Sequence, residues 1–154
     1  MYNIGVTGTR FGMTEPQLNT ARSVIDDIAN DNDFAVTMHN GDCVGADKEF
    51  FNIFHDIRKK VNLILDCPLA MYTVGHIPVD DKDRAYCNFE FVREPYTYMI
   101  RNQHIVDESD VLLAASYTME EAKYGGTWAT IRKARRKKMK IIILFPDGTM
   151  KTEN

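Results

Sequence analysis

A glycine-rich stretch in the last third of the chain, YGGTWATIRKA at residues 124–134, has residue types that suit a phosphate. Gly125, Gly126 and Thr127 stand where a helix is expected to begin. The first N–H groups of a helix have no partner within it, and the positive end of the helix dipole adds to their attraction for an anion. The stretch therefore predicts a phosphate site, although an ordinary tight turn with a threonine cap fits the same letters.

A second glycine turn follows the N-terminal apolar run, in the sequence GVTGTRFG. Its candidate ligand-binding residues are Gly8, Thr9 and Arg10. The planar guanidinium group of arginine matches a phosphate or a carboxylate with two parallel hydrogen bonds. We therefore expect Arg10 to assist an anion site, the alternative being a solvated loop arginine.

A third glycine turn, NGDCVGAD at residues 40–47, adds two acids. Its candidate ligand-binding residues are Gly41, Asp42, Gly45 and Asp47. Asp42 suits hydrogen bonds from a ribose, as acidic groups do in other nucleotide-binding α/β folds. Asp47 suits either contact with a ligand or capping of the helix that follows.

These turns become neighbours in a parallel sheet, because ligands bind such sheets beyond the carboxyl ends of the strands. Short apolar runs predict strands at residues 2–7, 34–41, 61–66, 110–116 and 140–145. Apolar residues at helical spacing predict helices at about 14–30, 45–60, 96–108 and 126–139. The alternation predicts an α/β, Rossmann-like three-layer domain with a mostly parallel sheet of about five strands.

The segment at about residues 67–95 contains chain breakers and no clear period, so we predict a single domain over residues 1–154 with a long excursion there. Aromatic residues cluster in and after the excursion: Tyr72, Tyr86, Phe89, Phe91, Tyr96 and Tyr98. Packing of the excursion onto the domain or another subunit is the favoured explanation for them. Stacking on a base is the alternative.

Charge and cysteine content weigh against several function classes. The formal net charge of −3 provides no broad positive field for nucleic acid or an anionic membrane. The basic run at residues 132–140 is interpreted as a solvated helix end, where it complements the helix dipole.

The chain has three cysteines, Cys43, Cys67 and Cys87, and none of them forms a CxxC pair, which fits a reducing cytoplasm and offers no zinc site. His39 is interpreted as a packed or capping residue, so we predict neither a metal nor a cofactor.

The three turns together resemble the SLOG superfamily, a Rossmann-like group that includes the Lonely Guy phosphoribohydrolases and the DNA-processing protein A domain. GVTGTR resembles the turn after the family's first strand, and HNGDCVGAD resembles its second turn. RNQHIVDESDVLLAA resembles a helix-to-strand passage that carries a family arginine. That arginine corresponds to Arg101, which joins the ligand-binding candidates with its neighbour Asn102. The resemblance implies a nucleotide pocket and a homo-oligomer.

One position departs from the motif of the phosphoribohydrolases, PGGxGTxxE. Gly126 and Thr127 match its GT, whereas Thr130 stands in place of the catalytic glutamate. A carboxylate supports the oxocarbenium-like centre that forms when an N-glycosidic bond breaks, and an uncharged threonine does not. Glu120 and Glu121, just before the glycines, are the candidate catalytic replacements.

The resemblance and the missing glutamate predict a cytoplasmic binding protein rather than an enzyme. It would sense or sequester a nucleotide-derived small molecule, such as an ADP-ribose-like or cyclic-nucleotide signal, in a setting such as phage–bacterium antiviral defence or counter-defence. The alternative is a nucleoside 5′-monophosphate N-glycosidase. A further alternative is a single-stranded DNA-binding domain, which the lack of aromatic residues beside the basic run disfavours.

Overall fold

The computed structural model describes residues 1–65, 70–80 and 82–154, which form seven strands and four helices. The strands are β1 (Tyr2–Gly8), β2 (Val36–Asn40), β3 (Met71–Gly75), β4 (Phe91–Val92), β5 (Val111–Ala115), β6 (Lys140–Leu144) and β7 (Met150–Glu153). The helices are α1 (Glu15–Asp31), α2 (Ala46–Leu65), α3 (Tyr98–Asp107) and α4 (Gly126–Lys137). No helix in these ranges is both long and apolar enough to cross a membrane.

The strands form one sheet in the order β4-β3-β2-β1-β5-β6-β7. Every neighbouring pair is parallel except β6 and β7, which are antiparallel. The chain builds the sheet outward from β1 in one direction through β4, and then returns to the other side of β1 with β5. The order therefore reverses between β1 and β5, and a crevice opens where their carboxyl ends separate.

Successive side chains along a strand point to opposite faces of the sheet, and each face has its own apolar cluster. On one face, α1 and α2 cover the strands, with Ile25, Phe50 and Phe54 fully buried. On the other face, α4 supplies Trp128 and Ile131, which are also buried. Helices on both faces of a mostly parallel sheet confirm the predicted three-layer, Rossmann-like architecture.

The prediction of a strand at residues 61–66 is wrong. Residues 61–65 are the last turns of α2, and Asp66 lies outside the described residues. Val61 continues the buried helical stripe of Ile53 and Ile57, whereas Leu63 and Ile64 are 78% and 68% exposed. The apolar run VNLIL resembled a strand buried on both faces, but helical spacing buries only one of its sides.

The predicted excursion contributes two strands to the sheet. β3 and β4 both lie between residues 67 and 95, and β7 follows β6. These three additional strands, less the one wrongly predicted at residues 61–66, give seven strands rather than five. Cys67 and Pro68, at the start of the excursion, lie outside the described residues. Of the aromatic residues of the excursion, Phe89 is buried and meets Phe51 of α2 edge to face. Tyr72 and Phe91 contact each other and are both exposed.

Candidate functional site

A cleft of about 660 Å³ lies beyond the carboxyl ends of β1 and β5. Its walls come from the turn after β1, the turn after β2, α3 and the start of α4. Ten of the twelve ligand-binding residues predicted from the sequence line this cleft: Gly8, Thr9, Arg10, Gly41, Asp47, Arg101, Asn102, Gly125, Gly126 and Thr127. The fold therefore brings together three turns that are far apart in the sequence.

One wall of the cleft is the N-terminus of α4, and it is built mainly of backbone. Gly125 caps the helix with a φ of 110°, a conformation that favours glycine. The first backbone bond of the helix runs from the Ala129 N–H to the Gly125 carbonyl oxygen (3.1 Å), so the N–H groups of Gly126 and Thr127 precede the helical ladder. A Cβ atom at Gly125 or Gly126 would meet nothing within 4 Å. This wall is open and suited to an anion.

The opposite wall is made of buried side chains, with Arg101 at its centre. The Arg101 guanidinium donates through Nη1 to the carbonyl oxygens of Gly41 (2.5 Å) and His76 (3.3 Å). Its Nε donates to Oδ1 of Asn102 (2.9 Å), and its Cζ lies 5.1 Å from the centre of the Tyr98 ring. Arg101 thus ties α3 to the turn after β2, and most of its donor capacity is already used by the protein.

Asp47 supplies an acidic oxygen to the same wall. Its Oδ2 accepts the Cys43 N–H (3.2 Å), whereas the buried Oδ1 has no hydrogen-bond partner among the described residues. Burial raises the pKa of Asp47 to about 6, although the charge of Arg101 opposes this shift. The hydroxyl oxygen of Tyr98 is also buried without a partner in the described part of the chain. Two residues of the cleft lining therefore each hold a buried polar atom that has no partner among the described residues.

Gly41 allows the arginine and the aspartate to share this wall. A Cβ atom at position 41 would lie 2.7 Å from Arg101 Nη1 and 2.9 Å from Asp47 Oδ2. Both separations are too short for a carbon atom beside a nitrogen or an oxygen. The glycine is therefore required by close approach of the two charged side chains.

Arg10 lies at the rim of the cleft and differs from Arg101 in its surroundings. Its side chain is 61% exposed and contacts Asp83 at a long distance of 3.7 Å. A pair of this kind is weak and easily exchanged for another partner. Arg10 can therefore turn toward an anion in the cleft without breaking a buried network.

Three exposed aromatic residues on the cleft lining were missed by the sequence reasoning. The rings of Phe11 and Tyr117 lie 5.2 Å apart, and Tyr124 stands just before the cap of α4. All three are mostly exposed. Their position next to the glycine turns was the available signal. Of the six aromatic residues considered for stacking on a base, only Tyr98, at the start of α3, lines the cleft.

Two predicted ligand-binding residues lie outside the cleft lining. The Asp42 carboxylate is fully buried and accepts hydrogen bonds from Arg84 Nε (2.7 Å) and from the Cys87 N–H (2.9 Å). It anchors the excursion to the turn after β2 and has no position facing a ribose. Gly45 lies behind the turn, where its carbonyl oxygen accepts the Glu49 N–H at the start of α2 (3.1 Å).

The two predicted catalytic candidates also lie outside the lining. Glu121 is paired with Arg132 and Arg135, and these partners lower its pKa. Glu120 is exposed. Thr130 is fully buried and donates through Oγ1 to the Gly126 carbonyl oxygen (2.8 Å), within its own helix. The carboxylates that line the cleft in the described ranges are instead those of Asp47 and Asp83.

Part of the basic run at the end of α4 is engaged by the protein. Arg135 pairs with Glu121 and Glu153, and Lys137 Nζ donates to the carbonyl oxygens of Val106 (2.8 Å) and Asp107 (2.7 Å). The Lys137 contacts fix the C-terminal end of α4 against α3, and those of Arg135 join it to β7 and to the loop before α4. They lie at the opposite end of the helix from the cleft.

Comparison with known proteins places this architecture among SLOG-type folds. A molybdenum cofactor binding protein from the phototrophic bacterium Rippkaea orientalis is 20% identical, with a TM-score of 0.62 over 94% of this chain and 76% of that one. The molybdenum cofactor carrier protein from Chlamydomonas reinhardtii is 21% identical, with a TM-score of 0.54 over 93% and 76%. No protein-family model and no curated protein sequence matches the chain.

The DNA processing protein A from Streptococcus pneumoniae is also similar in structure. Its identity is 14% and its TM-score 0.59, and the match covers 94% of this chain but only 50% of that protein. At these identities the likeness concerns the fold. The SLOG-type fold predicted from the three glycine turns is thereby confirmed.

Proposed function

We propose that the cleft binds a phosphate-bearing, nucleotide-derived small molecule, with its phosphate at the N-terminus of α4. The observation that carries this proposal is the open backbone wall at Gly125 and Gly126, facing a cleft of about 660 Å³. A cavity of this size suits a ligand of nucleotide or dinucleotide dimensions. Arg10, weakly paired at the rim, supplies a mobile positive charge for the same anion.

The wall opposite the phosphate supplies contacts for the rest of such a ligand. The unpartnered Oδ1 of Asp47 suits an N–H donor of a base or an O–H donor of a sugar. The exposed rings of Phe11, Tyr117 and Tyr124 suit stacking on a planar heterocycle at the mouth of the cleft. Two structural neighbours are described as molybdenum cofactor binding and carrier proteins, which supports a small-molecule cleft in this fold.

Binding can be tested with a defined panel of probes. Isothermal calorimetry of the purified chain would use AMP, ADP-ribose, a cyclic dinucleotide, molybdenum cofactor and adenosine as the phosphate-free control. We expect saturable 1:1 binding of at least one phosphate-bearing compound and much weaker binding of adenosine. Equal affinity for AMP and adenosine, or saturation by none of the panel, would contradict the proposal.

A second candidate function is hydrolysis of the N-glycosidic bond of a nucleoside 5′-monophosphate. The observation that favours it is Asp47, a carboxyl group in the cleft whose pKa of about 6 suits proton transfer near neutral pH. Chromatography would detect free base released from AMP by the wild-type chain and not by the Asp47→Asn variant. Intact AMP after prolonged incubation with the wild-type chain would leave binding as the function.

The other predictions about partners and setting depend on the identity of the ligand. Sensing or sequestering of a signal, including a role in antiviral defence or counter-defence, stays a prediction, as does a homo-oligomeric state. Sedimentation velocity with and without the bound compound would measure the oligomeric state. Binding of single-stranded DNA would give an affinity that falls steeply between two salt concentrations. We expect none, because the net charge is −3 and two arginines of the basic run, Arg132 and Arg135, are paired with Glu121 and Glu153.

A further inference from the structure

A second cluster of polar groups lies away from the cleft lining, between β2, the end of β3 and the end of α3. His39 is on β2, His76 follows β3, and Glu108 follows α3. Both imidazole rings are buried. The distance from His39 Nδ1 to His76 Nε2 is 2.9 Å, that from His76 Nε2 to Glu108 Oε2 is 3.2 Å, and that from His39 Nδ1 to Glu108 Oε2 is 4.0 Å.

These distances leave a central position suited to a small divalent cation. The point equidistant from the three atoms lies in their plane, at about 2.0 Å from each, and zinc binds imidazole nitrogen at about 2.0–2.1 Å and carboxylate oxygen at about 2.0–2.2 Å. A small movement of Glu108 Oε2 toward His39 Nδ1 would bring the three atoms to the separations of a tetrahedral site. Two imidazoles and one carboxylate form a donor set that zinc uses with a fourth, open position. We propose that His39, His76 and Glu108 bind Zn²⁺.

An outer contact orients the first of these ligands. His39 Nε2 lies 3.1 Å from Oδ1 of Asn3, while the Asn3 amide nitrogen faces Asp110 Oδ2 at 3.4 Å. Because the amide oxygen only accepts, the His39 proton is on Nε2, and the Nδ1 lone pair points toward the cluster. A hydrogen bond of this kind on the far nitrogen is typical of metal-binding histidines.

The carboxylate is oriented as well. Glu108 Oε1 accepts a hydrogen bond from Arg93 Nη2 (2.8 Å), which leaves Oε2 directed at the two histidines. His76 Nδ1 has no partner among the described residues, and Nε2 is the ring nitrogen that faces His39 and Glu108.

The alternative for the same geometry is a metal-free hydrogen bond. In that arrangement His76 Nε2–H donates to His39 Nδ1, with Glu108 Oε2 as a second acceptor, and the three groups bind no cation. The two arrangements differ in whether added zinc occupies the cluster, and a measurement of stoichiometry separates them.

The experiment uses the full chain, stripped of metal with a chelator. One sample is titrated with Zn²⁺ and a separate sample with Co²⁺. We expect one equivalent of zinc by elemental analysis, a higher melting temperature in zinc, and the visible absorption of low-coordinate Co²⁺. The variant Glu108→Gln should weaken zinc binding at least tenfold, and Asn3→Ala about tenfold or more through loss of the orienting contact. His104→Gln, on α3 but outside the cluster, is the matched control and should bind as the wild type does.

The proposal is overturned if the stripped wild-type chain takes up no stoichiometric zinc. It is also overturned if Glu108→Gln and His104→Gln bind zinc equally well, because the metal would then lie elsewhere. Glu108 is partly exposed, so this variant is expected to fold, and circular dichroism of the metal-free protein would verify it. The readout needs no nucleotide, so its failure is distinguishable from failure of the proposed cleft function.

Discussion

The two walls of the cleft contain similar residue types and use them differently. The α4 wall presents two exposed glycines, whose missing side chains leave open space, and the rim arginine Arg10 contacts one distant acid. The opposite wall also has a glycine and an arginine, Gly41 and Arg101, but both are packed within a buried network. The comparison suggests that one wall is kept free for a ligand and the other is held rigid to shape the cleft.

Replacing each arginine with methionine gives the largest expected contrast. Arg101→Met leaves the Gly41 and His76 carbonyl oxygens without their buried donor and removes the charge facing Asp47. We expect a loss of about 3 kcal/mol in the free energy of unfolding. Arg10→Met should change stability by less than about 0.5 kcal/mol. Urea denaturation measures both, and equal losses would remove the distinction between the walls.

The acid of the buried wall should make stability depend on pH. Its pKa is 3.8 in the unfolded chain and about 6 in the folded one, so the native state holds the extra proton between these values. Stability from this group is therefore present below pH 4 and is lost as the pH rises through 6. Asp47→Asn should flatten this dependence and raise stability at pH 7 by about 2 kcal/mol. An unchanged slope in urea titrations from pH 4 to 7 would contradict the assignment.

Alanine at the two glycines tests the difference in packing directly. Gly41→Ala places a methyl group against Arg101 Nη1 and Asp47 Oδ2, and overpacking of this kind costs about 1.5 kcal/mol. Gly126→Ala adds a methyl group in open space at the start of a helix, where alanine is at least as favourable as glycine. Relative to the wild type, the melting temperature of Gly41→Ala should be lower, and that of Gly126→Ala should be equal or higher.

The sequence indicated the cleft well because each of its turns is a local signal. Glycines after apolar runs mark the carboxyl ends of strands, and eight of the ten predicted residues in the cleft come from these turns. Arg101 and Asn102 were instead predicted from the resemblance of the helix-to-strand passage. Asp42 failed as a cleft residue because its partners, Arg84 and the Cys87 N–H, come from the excursion, whose path the sequence did not indicate. The exposed rings of Phe11, Tyr117 and Tyr124 were missed because the exposure of a side chain follows from tertiary packing.

The features that the sequence did not predict depend on tertiary contacts, each in a different way. Residues 61–65 are apolar enough for a buried strand, and only their continuation of the α2 stripe makes them helical. β7 is polar and antiparallel at the sheet edge, where packing imposes no apolar pattern. His39 and His76 are 37 residues apart in the chain, so their contact depends on the pairing of β2 with β3 and has no signature in spacing.

The central claim is that the α4 N-terminus binds the phosphate group, and position 126 tests it most directly. Gly126→Asp and Gly126→Asn add side chains of the same shape to open space, and only the aspartate adds negative charge. Calorimetry with the panel compound that binds the wild type most tightly would compare them. We expect the aspartate variant to bind at least about tenfold more weakly than the asparagine variant, through charge repulsion, with both folding normally. Equal affinities for the two variants would contradict phosphate binding at this helix.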